Sequence, residues 1–154
     1  MKNASKVYNS FSKERTLRVC EVDSEFKKVK ISSSDDVYKY VKQFYADDIE
    51  VYESFFILLL NKPNNTIGWA KISQGGTCAT LVDSKIILKI AIDSLADGVI
   101  LVHNHPSGIL TPSEHDISLT KRIKVVADLI GIKILDHIII SKSGFFSFAD
   151  SEMI

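Results

Sequence analysis

The chain has 154 residues, 45% hydrophobic and 25% charged, and its 19 basic and 19 acidic side chains cancel to a formal net charge of zero. That length suits one domain with a real core, and the charge balance gives no global pull toward nucleic acid or an anionic membrane. No stretch reaches the roughly eighteen apolar residues of a membrane span, and the opening MKNASKVYNSFSKE lacks the apolar segment of a secretion signal.

Taken in chain order, residues 1–14 are polar and read as a loose arm. Residues 16–22 and 26–31 read as a short strand pair turning at Asp23 and Ser24, so that 1–31 precede a domain at 32–154. Ser34 is the expected cap of a helix carrying Val37, Tyr40, Val41 and Phe44 on one face. An apolar strand at 54–60, a Pro and Asn turn at 62–65 and a returning strand at 66–73 follow. Gly75 and Gly76 loosen the chain before a short strand at 77–82. Ser84 then caps a helix with Ile87, Ile90, Ala91, Ser94 and Leu95 facing inward and Gly98 just past its end. Val99 to Val102 form the next strand. Thr111 as N-cap, Pro112 at the first helical position and Glu114 three residues after the cap form a capping box that predicts a helix from 112 to 129, with Gly131 as its stop. Strands at 132–141 and 145–148 close the chain. Strands with interleaved helices predict an α+β, or mixed α/β, sandwich.

Cys20 and Cys78 lie far apart and form no CxxC, so neither a disulfide framework nor a cysteine zinc site is indicated, and a reducing cytoplasm is expected. The chemistry is concentrated in residues 103–116, HNHPSGILTPSEHD. His103 and His105, two apart at a strand end, point to one face. Pro106 and Gly108 break the strand, and Ser113 and Asp116 share the first turns of the next helix. Two imidazoles, one carboxylate and a water make a tetrahedral zinc site with an open position. A zinc hydrolase also needs a group that takes and returns a proton. Glu53, at the mouth of the apolar strand, is the leading candidate and Glu50 its competitor. His115 reads as a solvent-facing helix residue, and Asn104, Ser107 and Gly108 as turn-formers. Asp136 and His137, adjacent on a strand, point to opposite faces, so at most one of them faces the site. Trp69, Phe55 and Phe56 read as core.

The spacing HxHxxxxxxxSxxD with a distant Glu resembles the JAMM (MPN+) metalloproteases, and the fuller string HNHPSGxxxPSxxDxxxT, here His103 to Thr120, is similar to the C-terminal domain of RadC proteins. Glu53 to Asn61, Gly76 and Thr77, and Leu135 to Ile140 agree, and the resemblance covers roughly residues 32–150. It implies a cytidine-deaminase-like JAB/MPN sandwich, a mixed sheet flanked by helices. It further implies that His103, His105 and Asp116 ligate Zn2+, that Glu53 is the general acid and base, and that Ser113 helps hold an oxyanion. Asn104 stands where ubiquitin-removing JAMM peptidases carry Ser or Thr, so deubiquitination is not implied. Full RadC proteins carry an N-terminal helix-hairpin-helix region, which the opening of this chain does not resemble; a short, stand-alone domain is expected.

The resemblance thus implies a zinc-dependent hydrolase, a metallopeptidase or isopeptidase acting on a peptide or protein. A DNA-repair factor or nuclease, suggested by the RadC label, has little cationic support in this segment. A metal-binding scaffold without activity is the third class, since one fold hosts many roles.

Overall fold

The computed structural model describes residues 28–45, 49–75 and 82–154. In chain order these form α1 (Ser34–Val41) with a 3-10 turn at Lys42–Phe44, β1 (Ser54–Leu60), β2 (Thr66–Gln74), α2 (Ser84–Asp93), β3 (Gly98–Asn104), α3 (Glu114–Leu129), β4 (Lys133–Ile140) and β5 (Phe145–Ser147). The five strands make one mixed sheet in the order β2-β1-β3-β4-β5, in which only β3 and β4 run parallel. The α+β sandwich expected from the strand and helix order is the observed fold.

β1 and β3 are buried along their whole lengths. Central strands covered on both faces read as unbroken apolar runs rather than alternating ones, which explains SFFILLL and GVILV. On one face Phe55, Ile57, Leu59, Val99 and Leu101 pack beneath Ile87 and Ala91 of α2 and Leu119, Ile123 and Ala127 of α3. On the other, Phe56, Leu58, Leu60, Ile100 and Val102 meet Val37 and Val41 of α1. Each fully buried side chain of this size contributes about 1.5–3 kcal/mol. A one-residue slip of β1 would exchange the two sets, so its register is strongly specified.

That register builds the site. β1 pairs antiparallel to β3 with Phe55 opposite His103. One residue further out the Ser54 N–H bonds the Asn104 side chain, and beyond the strand ends Glu53 and His105 line one cavity with His103. The connection from β3 through α3 to the parallel β4 then brings a helix start back over the same end of the sheet, where open α/β sheets bind their ligands.

Several local expectations shift. α1 is capped by Ser33, not Ser34, because Asp36 completes a reciprocal box with Ser33 whereas the residue three after Ser34 is the apolar Val37. Asp83, not Ser84, caps α2 by accepting from the Lys85 N–H. Gly98 is not a helix stop: α2 ends at Asp93, and Leu95 takes the left-handed φ of 51° and is exposed. Gly98 instead opens β3, where a Cβ would meet Leu135 Cδ1 at 2.7 Å. α3 begins at Glu114, with Ser113 rather than Thr111 as N-cap and Asp116 rather than Glu114 as the box carboxylate. Gly131 does stop α3, at φ 78°, with the Ile132 N–H bonded to the Ala127 carbonyl and the Gly131 N–H to that of Asp128. Within the expected strand at 26–31, the described residues make a single bridge, Lys30 to Asn65. Residues 1–27, with the expected partner strand 16–22, and all but Val82 of the expected strand at 77–82 lie outside the described residues.

Asn104 is not a turn-former. It is fully buried at the end of β3. Its side-chain oxygen accepts from the Ser54 N–H at 2.8 Å, and its amide donates to the carbonyls of Ile49 and Tyr52 at 2.7 and 2.8 Å. One amide thereby fastens the segment entering β1, and Glu53 with it, to the histidine strand. Truncation would leave three backbone groups without this partner, each costing about 1–3 kcal/mol if it stays dry. Asn104→Ala is expected to lower stability by about 3 kcal/mol in denaturant unfolding, whereas a change below about 0.5 kcal/mol would show that water replaces the amide freely.

Candidate metal centre

The strand period that turns Val99 and Leu101 toward α2 and α3 does the same for His103, which is buried, and for His105, one residue beyond the strand and half-buried. The chain then turns through Gly108, at φ 77°, whose N–H bonds back to the His105 carbonyl at 2.9 Å. This turn brings the Ile109 carbonyl to 2.5 Å from His105 Nδ1. A carbonyl only accepts, so Nδ1 carries the proton and, in the neutral ring, Nε2 presents a bare lone pair to the site.

Asp116 arrives from the start of α3, its aim set by the capping box. Its Oδ2 accepts the Ser113 N–H at 2.8 Å and the Ser113 hydroxyl at 2.6 Å, while Ser113 Oγ accepts the Asp116 N–H. The carboxylate is held against the helix start with Oδ1 3.2 Å from His103 Nε2 and Oδ2 3.7 Å from His105 Nε2. The two Nε2 atoms are 3.0 Å apart. Three ligands about 2.0–2.1 Å from a tetrahedral ion stand about 3.3 Å from one another, close to the edges of this triangle. Lone pairs and a carboxylate at these separations call for a positive charge among them, and the donor set suits a borderline metal ion. His103, His105 and Asp116 are thus a group able to hold a metal.

Burial pushes the Asp116 carboxyl up, but the facing His103 and His105 imidazoles outweigh it and hold the group far below the usual carboxylate range. The same contact with Asp116 raises the His105 imidazole against the opposing effect of burial. The centre therefore keeps its carboxylate charged at any ordinary pH.

Glu53, Phe55, His103, His105, Ser113, His115, Asp116 and Leu119 line a cavity of about 190 Å³ over the three donors. Glu50 stands elsewhere: it pairs with Lys142 at 3.1 Å and lines a neighbouring hollow beyond His105. The Glu53 carbonyl accepts the Gly75 N–H at 2.8 Å, a second tie on the backbone that carries its side chain. His115 is exposed at the cavity rim, in keeping with a solvent-facing residue.

Two residues stand behind the ligands: Thr120, which entered from sequence only as the end of the RadC-like string, and His137, the one of the Asp136 and His137 pair that faces the site. Thr120, one turn beyond Asp116, and His137, on β4, are both buried. His137 Nε2 lies 2.8 Å from His103 Nδ1, and its Nδ1 lies 2.6 Å from Thr120 Oγ1. Burial lowers the His137 imidazole well below its ordinary value and keeps it neutral. Its neighbour Asp136 is bonded away from the site, accepting from Ser147 Oγ, the Ala149 N–H and the His137 N–H. The alternation expected of this pair therefore holds. The available signal was β4's parallel pairing with β3, which aligns His137 with Leu101 on the ligand face, but pairing partners are not written in local sequence.

Residues 31–153 match the family model described as the RadC-like JAB domain. The chain is 43% identical over 99 residues to a UPF0758 protein of Flavobacterium johnsoniae, an alignment covering 64% of this chain and 43% of the relative. It is 43% identical over 103 residues to a UPF0758 protein of Porphyromonas gingivalis, covering 66% and 45%, and 46% identical over 95 residues to one of Finegoldia magna, covering 62% and 43%. The aligned part spans less than half the length of these relatives. A matching family model over most of the chain, the α+β sandwich and the His-His-Asp group at the end of β3 agree, and this chain belongs to the RadC-like JAB domain family.

Proposed function

We propose that this chain is a zinc-dependent hydrolase of the JAMM type, a metallopeptidase or isopeptidase acting on a peptide or protein. The observation that carries the reading is the convergence of His103, His105 and Asp116 beneath a cavity that Glu53 also lines. When bound there, zinc would supply Lewis acidity and bring the pKa of a coordinated water to near 7. Glu53 then takes a proton from the attacking water and returns it to the departing amine. Ser113, whose hydroxyl donates to Asp116 Oδ2 in this structure, rotates toward the substrate to donate to the oxyanion. Among the described residues no lysine or arginine lines this cavity, which favours an amide over a phosphodiester substrate. No helix among the described residues is long and apolar enough to cross a membrane.

Metal analysis of the purified protein should give about one zinc per chain, and His103→Ala should lose it. A chain that binds no zinc under any condition would end this reading. Glu53→Gln should keep the metal and lower turnover on a peptide and isopeptide panel by about 10²–10⁴-fold. Full activity in that variant would move the proton carrier elsewhere, and wild-type cleavage of nucleic acid but no amide would favour a nuclease.

The pH dependence follows from His105. Its pKa is raised by Asp116, so the metal-free protein has this stabilisation in full below the ordinary histidine value near 6.5 and loses it as pH rises through the raised folded value. The proton competes with the metal for Nε2. Zinc affinity, measured by competition with a chelating dye, should therefore rise as pH increases through neutrality, with proton release on binding. A pH-independent affinity across that range would contradict the assigned ligand.

A further inference from the structure

We propose that Thr120 and His137 are positioning residues that hold His103 with its proton on Nδ1 and so present its Nε2 lone pair to the metal. The inference rests on the metal-binding part of the proposed function and not on the hydrolysis.

The argument is a count of protons along one chain of contacts. Thr120 Oγ1 lies 2.6 Å from the Asp116 main-chain carbonyl, which only accepts. The one hydroxyl proton of Thr120 is committed there, in the backbone contact that threonines often make four residues back along a helix. Toward His137 Nδ1, 2.6 Å away, Thr120 Oγ1 is therefore the acceptor, and His137 Nδ1 carries a proton. His137 is fully buried, and among the described residues no carboxylate is within hydrogen-bond contact of its ring; a second proton on that ring would be an unpaired buried charge. Its Nε2 is thus bare and accepts from His103 Nδ1, 2.8 Å away. With its proton on Nδ1, the neutral His103 ring has Nε2 free, and Nε2 is the atom that faces Asp116 Oδ1 and His105.

The relay begins and ends on the same pair of ligands. In front, His103 Nε2 and the Asp116 carboxylate meet; behind, His103 Nδ1 and the Asp116 main-chain carbonyl are joined through His137 and Thr120. Ring stacking fixes the planes, Phe55 lying 10° from parallel to His103 and Phe148 18° from parallel to His137. His105 needs no such relay, since the Ile109 carbonyl does the same for it directly. If the relay is cut at Thr120, His137 is free to carry its proton on Nε2 and donate to His103 Nδ1. His103 then carries its own proton on Nε2, where it blocks the metal.

The test compares wild type, Thr120→Val and Thr120→Ser. Valine keeps the volume and removes the hydroxyl, whereas serine restores it. Zinc affinity by chelator competition should fall by about 10–100-fold in Thr120→Val and recover in Thr120→Ser, with thermal unfolding confirming that each variant folds. Nitrogen-15 NMR of the imidazoles, recorded without metal, should show His137 neutral with its proton on Nδ1 and His103 protonated at Nδ1 in wild type, and a shift of the His137 proton to Nε2 in Thr120→Val. A wild-type His137 protonated on Nε2, or a Thr120→Val protein with unchanged zinc affinity, would overturn the proposal. If Thr120→Val fails to fold, the wild-type NMR pattern alone decides. If the protein takes up no zinc, the metal reading fails separately, because the tautomers are read in its absence.

Discussion

Three electron-rich atoms, His103 Nε2, His105 Nε2 and a carboxylate oxygen of Asp116, are held within 4.8 Å of one another, and without a cation or a proton among them they repel. Such a constellation persists only if the surrounding structure over-determines each member. β3 supplies two of the three through the two-residue strand period. The capping box of α3 turns the third back toward them by using Oδ2 to satisfy the helix start. Behind each imidazole a further acceptor, the Ile109 carbonyl for His105 and His137 for His103, takes up the remote nitrogen. Metal-ligating histidines usually have their second nitrogen bonded in this way, because the bond sets ring orientation and tautomer together.

Two buried aspartates near the sheet show how far the surroundings, and not burial, decide electrostatics. Asp116 and Asp136 each accept several hydrogen bonds and are both largely excluded from water. Burial dominates at Asp136 and pushes its carboxyl up, only partly offset by hydrogen bonds from Ala149, Ser147 and His137. At Asp116 the facing imidazoles reverse the sign. One carboxylate thus ties β4 to the turn after β5, while the other is kept charged beside the histidines. The residues beside them, His115 and Ile117 for Asp116 and Leu135 and His137 for Asp136, do not reveal the opposite signs.

The same division runs through the rest of the chain. His103 and His105 on one face, the continuous burial of β1 and β3, the hairpin turn at 62–65 and the Gly131 stop were all legible, since each depends on residues within a few positions of one another. The capping box read from sequence was Thr111 with Glu114, whereas the structure starts α3 two residues later with Ser113 and Asp116, and the Asp116 carboxylate thereby faces the histidines. Asn104 was misread for a similar reason. Beside a proline and a glycine it looks like a turn residue, and its three partners at 49, 52 and 54 come from the other side of the chain.

By itself, the sequence determined the face on which the two histidines stand, the apolar strands beneath them and the residue types from which a metal centre can be built, because strand period and helix caps act over a few residues. The tertiary structure decided which carboxylates stand at the cavity, that Glu50 pairs with Lys142 while Glu53 lines the site, and that Thr120 and His137 stand behind His103. Those contacts are set by the antiparallel register of β1 on β3 and the parallel register of β4 on β3. Register is fixed by the burial of whole faces across the sheet, which no short window of the chain contains.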